Sequence, residues 1–244
     1  MKENSKSILR RLDDSNYMRK YLVGDGVDIG GKPDPLSLYG ELFPLMGQVR
    51  TWDMEDGDAQ FMASVADDTF DFVFSSHCLE HLNDPREGLI NWFRVLKPGG
   101  HLVITIPDED MYEQGVWPST HNKGHRVSFT LLKATSWSEA SINVLDLVRD
   151  LGAAADIRKL QVLDHTYRYD LPRFDQTLTP IGECGIELII RKRTSEELAT
   201  GGRLPGQAQP AEGQRVYYNQ YRADQAALKA FSGQTELFSD KGEL

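Results

Sequence analysis

The sequence predicts an α/β fold, a Rossmann-like, doubly wound and mostly parallel sheet with helices on both faces. Three observations carry that expectation. Short β-rich runs alternate with stretches of helical periodicity. A glycine pair, Gly30-Gly31, directly follows the first such run. Polar residues cluster just after the runs, where open parallel sheets bind ligands.

The first strand is expected over Gly26 to Ile29, with a carboxylate at Asp28, leading into Gly30-Gly31-Lys32-Pro33. Glycine there either lets main chain approach a ligand or makes an ordinary tight turn. A second short strand is expected over Gln48 to Trp52. Phe70 to Ser76 (FDFVFSS) reads as a strand buried on both faces. A helix follows, with Asp84 as N-cap, Pro85 at the first helical position and Glu87 completing a capping box. Leu89, Trp92, Phe93 and Leu96 recur at helical spacing. Pro98-Gly99-Gly100 then turns the chain into a strand over His101 to Ile106.

A second amphipathic helix is expected after Ser138, with Ile142, Leu145, Val148 and Leu151 on one face and Gly152 as its stop. Two β-rich runs, around Lys159 to Tyr169 and Gly185 to Lys192, are expected to pair antiparallel at a sheet edge. Residues 1–193 form the expected domain, and residues 194–244 an appendage. Within it Thr200 to Gln214 reads as a linker and Arg215 to Phe231 as a helix. Tyr217, Tyr218 and Tyr221 in that segment would support a homodimer contact or stay in solvent.

With 244 residues and a formal net charge of -10, the chain is expected to bind neither nucleic acid nor anionic lipid. No run approaches the roughly 20 apolar residues of a membrane span, and no charged-then-apolar leader opens the sequence. Two cysteines, Cys78 and Cys184, lie in unrelated segments, which fits a cytoplasmic protein.

The candidate ligand residues lie at the ends of the strands. After the first come Gly30 and Gly31; after the second come Asp53, Met54 and Glu55, then Asp58-Ala59; after the third comes His77. A carboxylate ending the second strand suits ribose hydroxyls, and an acid beside a small residue, such as Asp58-Ala59, can receive the adenine amine. A nicotinamide dinucleotide would want three glycines after the first strand, and only two are there. The pattern suits a nucleoside without a diphosphate.

From Phe70 to Pro107 the chain reads FDFVFSSHCLEHLNDPREGLINWFRVLKPGGHLVITIP. This stretch resembles class I S-adenosylmethionine-dependent methyltransferases of the methyltransferase-11 type. Strand, EH-containing loop, capped helix, KPGG turn and next strand follow in the family's order. The resemblance spans roughly Asp25 to Lys192. It implies S-adenosylmethionine as cofactor and a seven-stranded sheet with one antiparallel strand. By position, Asp28 and Gly30 fall on the family's D-x-G-x-G motif and Asp53 on its ribose-binding acid. Asp58 and Ala59 fall on the adenine pair, and Ser76 and His77 on the loop beneath the methionine part. Gly31 and Met54 join them in the candidate cofactor set. Two departures stand out. Lys32 replaces the motif's next glycine and either turns outward or meets the cofactor carboxylate. Asp53 and Asp58 are only five residues apart, so the usual intervening helix is missing or reduced.

The acceptor side is expected after the fourth strand, in the irregular run from Asp108 to Arg126 with its two histidines. His125 is the preferred general base, and His121 the second choice, with Asp108 beside them. The alternative is that these histidines tie the loop down. A metal held by His121, His125 and an aspartate is disfavoured, because Gly124 and Pro118 argue against the helix that such spacing needs; no metal is expected. Glu80-His81 is expected to orient its loop. Cys78 has no neighbour in sequence that would activate it. The function expected is methyl transfer to a small polar acceptor, a hydroxyl of a sugar or similar metabolite. The alternative is a binding or scaffold protein that keeps the fold without turnover.

Overall fold

The computed structural model describes residues 2–203 and 220–230. Backbone packing divides the chain into two compact units, Met1–Arg203 and Leu204–Leu244. In the second unit residues 220–230 are one helix with exposed side chains, Tyr221 among them. Tyr217, Tyr218 and residues 204–214 of the expected linker lie outside the described residues.

The first unit opens with helix α1 (Glu3–Asp13) and a π-helical turn (Tyr17–Tyr21). Strands β1 (Gly24–Ile29), β2 (Met46–Trp52) and β3 (Phe70–Ser76) follow, then α2 (Pro85–Arg94) and β4 (Leu96–Pro107). Two short strands, β5 (Ser128–Thr130) and β6 (Ser141–Asn143), form a separate parallel pair. Helix α3 (Val144–Asp150), β7 (Ala155–Leu163), β8 (Gly185–Lys192) and α4 (Ser195–Ala199) complete the unit.

The main sheet runs β2-β1-β3-β4-β8-β7. Strands β1 to β4 are mutually parallel, and β8 lies antiparallel to both β4 and β7. The mostly parallel architecture and its one antiparallel strand are as expected, but the sheet has six strands rather than seven. The physical reason lies between Asp53 and Thr69. That acid-rich connection holds one 3-10 turn, Met54–Asp56, and no β-rich run, so the sheet ends at β2. Strand order reverses between β1 and β3, and the ends of these two strands open the crevice where a ligand belongs.

Alternation of side chains sorts the core onto the two faces. Val73, Leu102, Ile104, Ile186 and Ile190 point to the side covered by α2 and α3, with Trp52, Leu89, Trp92 and Leu147. Phe72, Phe74, Val103 and Ile189 point to the other, with Tyr17, Leu22, Leu36 and Phe43. Each large side chain buried in this way contributes about 1.5–3 kcal/mol.

Three local expectations are corrected. The helix after Ser138 starts only at Val144, because Ser141–Asn143 pairs with β5 and Ile142 sits in that strand. Gly152 does stop it, at a φ of +70°. The first late β-run starts at Ala155, not Lys159, and ends at Leu163. At α2 the Asp84 carboxylate caps the amides of Arg86 and Glu87. Glu87 does not close the box itself. Its carboxylate accepts from Gln60 Nε2 at 2.6 Å, and Gln60 Oε1 takes the Asp84 amide at 2.9 Å.

Helix α1 has no counterpart among the elements read from the sequence. Its apolar face is poor, and polar contacts hold it instead. Arg10 forks onto Glu183, both nitrogens at 2.8 Å, and reaches Glu187 at 2.8 Å. Glu187 is fully buried and also meets Lys159 and Tyr17. Arg11, equally buried, lies over the Phe74 ring and donates to Asn4 Oδ1. Helix N-termini leave amides without partners. Here Asp34 serves one of them, accepting the Ser5 amide at 2.8 Å.

Candidate active site

Two cavities meet at the carboxyl ends of β1, β2 and β3. The first, about 290 Å³, is polar and is walled by Glu3, Asn4, Asp28, Gly31, Ser76 and His77, with Asn122 reaching in from the loop after β4. The second, about 410 Å³, is walled by Trp52, Met54, Gly57, Asp58, Ala59 and Leu82. Gly30, Asp53, Cys78 and His81 line both. The pair therefore forms one bent slot, apolar at one end and polar at the other.

Every residue of the candidate cofactor set lies on this slot. Asp28, Gly30, Gly31, Ser76 and His77 face the polar end, and Gly30, Asp53, Met54, Asp58 and Ala59 the apolar end. Local sequence explains the placement. Gly30 has a φ of +73°, which a residue with a β-carbon rarely adopts. A β-carbon on Gly31 would lie 2.4 Å from Asp28 Oδ2. The same Oδ2 accepts the Leu36 amide at 2.7 Å, which folds the GGKPDP loop back over the strand end. Asp28 Oδ1 is buried with no hydrogen-bond partner, and burial pushes the carboxyl up to about 7.

Asp53 Oδ1 accepts the Met54 amide, capping the 3-10 turn, and the Asp53 amide donates to Asp56 Oδ2 at 3.1 Å, which fixes its backbone at the junction. The next segment is held from α2. Trp92 Nε1 donates to Ala59 O at 2.8 Å, and Asn91 Nδ2 to Gln60 O at 3.0 Å. The shortened connection is thus rigidly placed without a helix of its own. Lys32 turns outward to pair with Glu55 at the rim. Cys78 is no nucleophile: burial, with nearby Glu80, Asp53 and Asp28, pushes its thiol up to about 12.

The three residues nominated for chemistry lie elsewhere. Asp108 caps the turn Glu109–Glu113, accepting from Asp110 and Met111, and burial pushes its carboxyl up to about 6. His121 packs edge-on against Tyr112. His125 is buried and hydrogen-bonded through Nδ1 to Glu113 Oε1 at 2.8 Å. None of the three lines either cavity. The imidazoles that do are His77 and His81.

These histidines surround Glu80, whose side chain is fully buried. Its Oε1 lies 3.4 Å from His77 Nδ1, 3.9 Å from His125 Nε2 and 4.0 Å from His81 Nε2. Burial alone would raise the Glu80 carboxyl, but the imidazoles outweigh it and hold it below the usual range. Burial alone would lower His77, but Glu3 and Glu80 outweigh it and raise it. His81 and Glu3 are the residues that sequence reasoning missed. Glu80-His81 stood in the EH-containing loop and was visible. Nothing local marked the contact of Glu3 with His77, 3.7 Å apart, because it depends on where α1 docks.

The methyltransferase-domain family model matches residues 43–104. A phosphoethanolamine N-methyltransferase 2 of Caenorhabditis elegans is 38% identical over 48 residues, 20% of this chain. That match covers only 11% of the curated relative's length. A putative methyltransferase from Bacillus halodurans C-125 superposes with a TM-score of 0.50 at 16% identity, covering 76% of this chain and 99% of that one. A phosphoethanolamine N-methyltransferase 2 from Haemonchus contortus, solved with S-adenosyl-L-methionine, gives 0.48 at 16% identity, covering 76% of this chain and 53% of that one. Among the described residues no helix is long and apolar enough to cross a membrane. Residues 43–104 thus match the methyltransferase domain, and the six-stranded sheet with its slot at the strand ends has the Rossmann-like methyltransferase fold, which together support a class I S-adenosylmethionine-dependent methyltransferase with S-adenosylmethionine as its cofactor.

Proposed function

We propose that the chain transfers the cofactor's methyl group to a hydroxyl of a small polar acceptor, a sugar or similar metabolite. The observation that carries this reading is His81, an imidazole at the junction of the two cavities. The adenine fits the apolar end beside Asp58 and Ala59, and the ribose hydroxyls fit Asp53. The unpartnered Asp28 oxygen, in the polar end, suits the cofactor's amino group. The sulfonium then falls between the ends, near His81.

Transfer is an in-line displacement. The acceptor oxygen forms a bond to the methyl carbon as the carbon–sulfur bond breaks, and the electron pair leaves on neutral S-adenosylhomocysteine. The acceptor proton goes to the cluster of Glu80, His81 and His125. His125 sits behind His81, ring centroids 5.1 Å apart, so it positions the imidazole rather than meeting the acceptor.

An amine acceptor is the second reading. The polar cavity carries four carboxyl groups, Glu3, Asp28, Asp34 and Asp53, against Lys32 and His77, and the curated relative is named for an N-methyl transfer. Turnover of S-adenosylmethionine against polyol and amine panels separates the two by product mass. For the hydroxyl reading, His81→Ala should bind S-adenosylhomocysteine normally and lose about 10²-fold or more in rate. Full turnover in that variant, or methylation of amines alone, would overturn it. No turnover with any acceptor, despite cofactor binding, would move the scaffold reading ahead.

A further inference from the structure

The Glu80 cluster has a geometry that acid–base chemistry leaves unexplained. Both Glu80 oxygens are buried and make no hydrogen bond, the nearest imidazole, His77 Nδ1, lying 3.4 Å from Oε1, and a buried carboxylate without a hydrogen bond is costly. Two imidazoles point Nε2 at it. Their Nδ1 atoms are already committed to acceptors: His81 Nδ1 to Gly124 O at 3.0 Å, and His125 Nδ1 to Glu113 Oε1 at 2.8 Å. A carbonyl can only accept, so His81 Nδ1 carries a proton and Nε2 is the nitrogen left to take an ion. His125 Nδ1 is likewise committed, to Glu113, which leaves its Nε2 as the free nitrogen.

We propose that Glu80, His81 and His125 form a binding site for one first-row divalent cation at the edge of the cofactor slot. The three ligand atoms lie within 4.8 Å of one another. Separations of 3.9 and 4.0 Å from Glu80 Oε1 to the two Nε2 atoms are too long for N–H···O bonds. They suit two ligands across a shared ion. Bonds of about 2.1 Å place such atoms about 3.4 Å apart at a tetrahedral angle, and about 4.2 Å apart when opposite. At a tetrahedral angle each imidazole nitrogen would move about half an ångström towards Glu80 Oε1.

Two imidazoles and one carboxylate select a borderline cation such as zinc, iron or manganese, and leave coordination positions open. The surroundings are those of a metal site too. Each ligand histidine gives its other nitrogen to a fixed acceptor, one a carboxylate, which orients the ring and raises its basicity. His81 is the ligand that lines the cavities, so an open position can face the acceptor. A cation there would hold the acceptor oxygen and lower its pKa, with His81 then serving as ligand rather than as proton acceptor. That role rests on the hydroxyl reading; the binding site does not.

The test is a titration of the full chain, stripped with a chelator, with cobalt(II) alone. Visible absorption reports imidazole ligation, and competition with zinc(II) gives the affinity. One equivalent should bind, and His81→Gln and His125→Gln should each weaken binding at least tenfold, while Glu113→Gln weakens it less. Glu80→Gln should abolish it. Because that buried substitution can unfold the chain, the half-exposed His81→Gln variant, verified by its far-ultraviolet spectrum and by S-adenosylhomocysteine binding, carries the decision. Cobalt binding by His81→Gln as tight as by the parent overturns the proposal, as does the absence of binding by the parent. Neither result depends on turnover, so failure here and failure of the methyl-transfer reading are distinguishable.

Discussion

Asp28 and Gly31 occupy each other's space. The Asp28 carboxylate crosses the position that a Gly31 side chain would need, 2.4 Å from its Oδ2, on its way to the Leu36 amide. The glycine pair after β1 therefore makes room for a protein carboxylate as well as for a ligand. Gly31→Ala should displace Asp28 and loosen the loop, at a cost of about 1–3 kcal/mol, as for overpacked sites. Thermal melts should show a lower Tm, and calorimetry at least tenfold weaker S-adenosylhomocysteine binding. An alanine variant with parental Tm and affinity would refute the packing argument.

Asp28 also makes stability depend on pH. Its folded pKa, about 7, lies above the 3.8 of an exposed aspartate. Between those values the folded chain holds a proton that the unfolded chain has released, so this group's contribution falls as pH rises. Other carboxylates, Glu80 among them, are shifted down and act in the opposite sense. The measurable quantity is therefore the difference between Asp28→Asn and the parent. From pH 4 to pH 7 the asparagine variant should gain steadily in denaturant midpoint relative to the parent. A constant difference across that range would mean that Asp28 is not raised.

Asp53 sits at the junction of the two cavities, with its amide held by Asp56 and its Oδ1 by the Met54 amide. Hydrogen bonds to a charged group are worth about 1.5–3 kcal/mol each. Asp53→Ala should weaken S-adenosylhomocysteine binding by at least about tenfold in isothermal titration, with the far-ultraviolet spectrum unchanged. Equal affinity would remove Asp53 from the ribose.

That the candidate cofactor residues gather on one slot is legible because they follow their strands directly. Asp28 to Gly31, Asp53 to Ala59 and Ser76-His77 each occupy a strand end, and strand ends meet at the order reversal whatever the loops do. The shortened step from Asp53 to Asp58 is visible in the sequence as well, but nothing local in it reports that an edge strand is absent too. The candidate acceptor side is harder to read. His125 stood in the right loop, but burial against Glu113 turns it away from the cavity, and no periodicity reports that in irregular chain. His81 was discounted because a capped helix beside it offered a structural role. Helix α1 stayed hidden for a different reason. Its anchors, Arg10 to Glu183 and Ser5 to Asp34, are 173 and 29 residues apart, and long-range polar docking leaves no local pattern.

That helix supplies the last prediction. Glu3 and Asn4 form one wall of the polar cavity, and Asp34 holds them there. Its carboxylate accepts from the Ser5 amide, from Ser5 Oγ at 3.3 Å and from Tyr39 Oη at 2.6 Å, while its carbonyl takes Asn4 Nδ2 at 2.7 Å. Asp34→Ala removes the first three and keeps the last. The start of α1 should then open more often, at a cost of about 1–2 kcal/mol, comparable to the loss of a strong N-cap. S-adenosylhomocysteine should dissociate severalfold faster in stopped-flow displacement, and protease should cut within residues 2–13 sooner than in the parent. If dissociation and cleavage both match the parent, α1 does not cover the cavity through Asp34. A slower release would mean that the helix hinders closure over the cofactor instead.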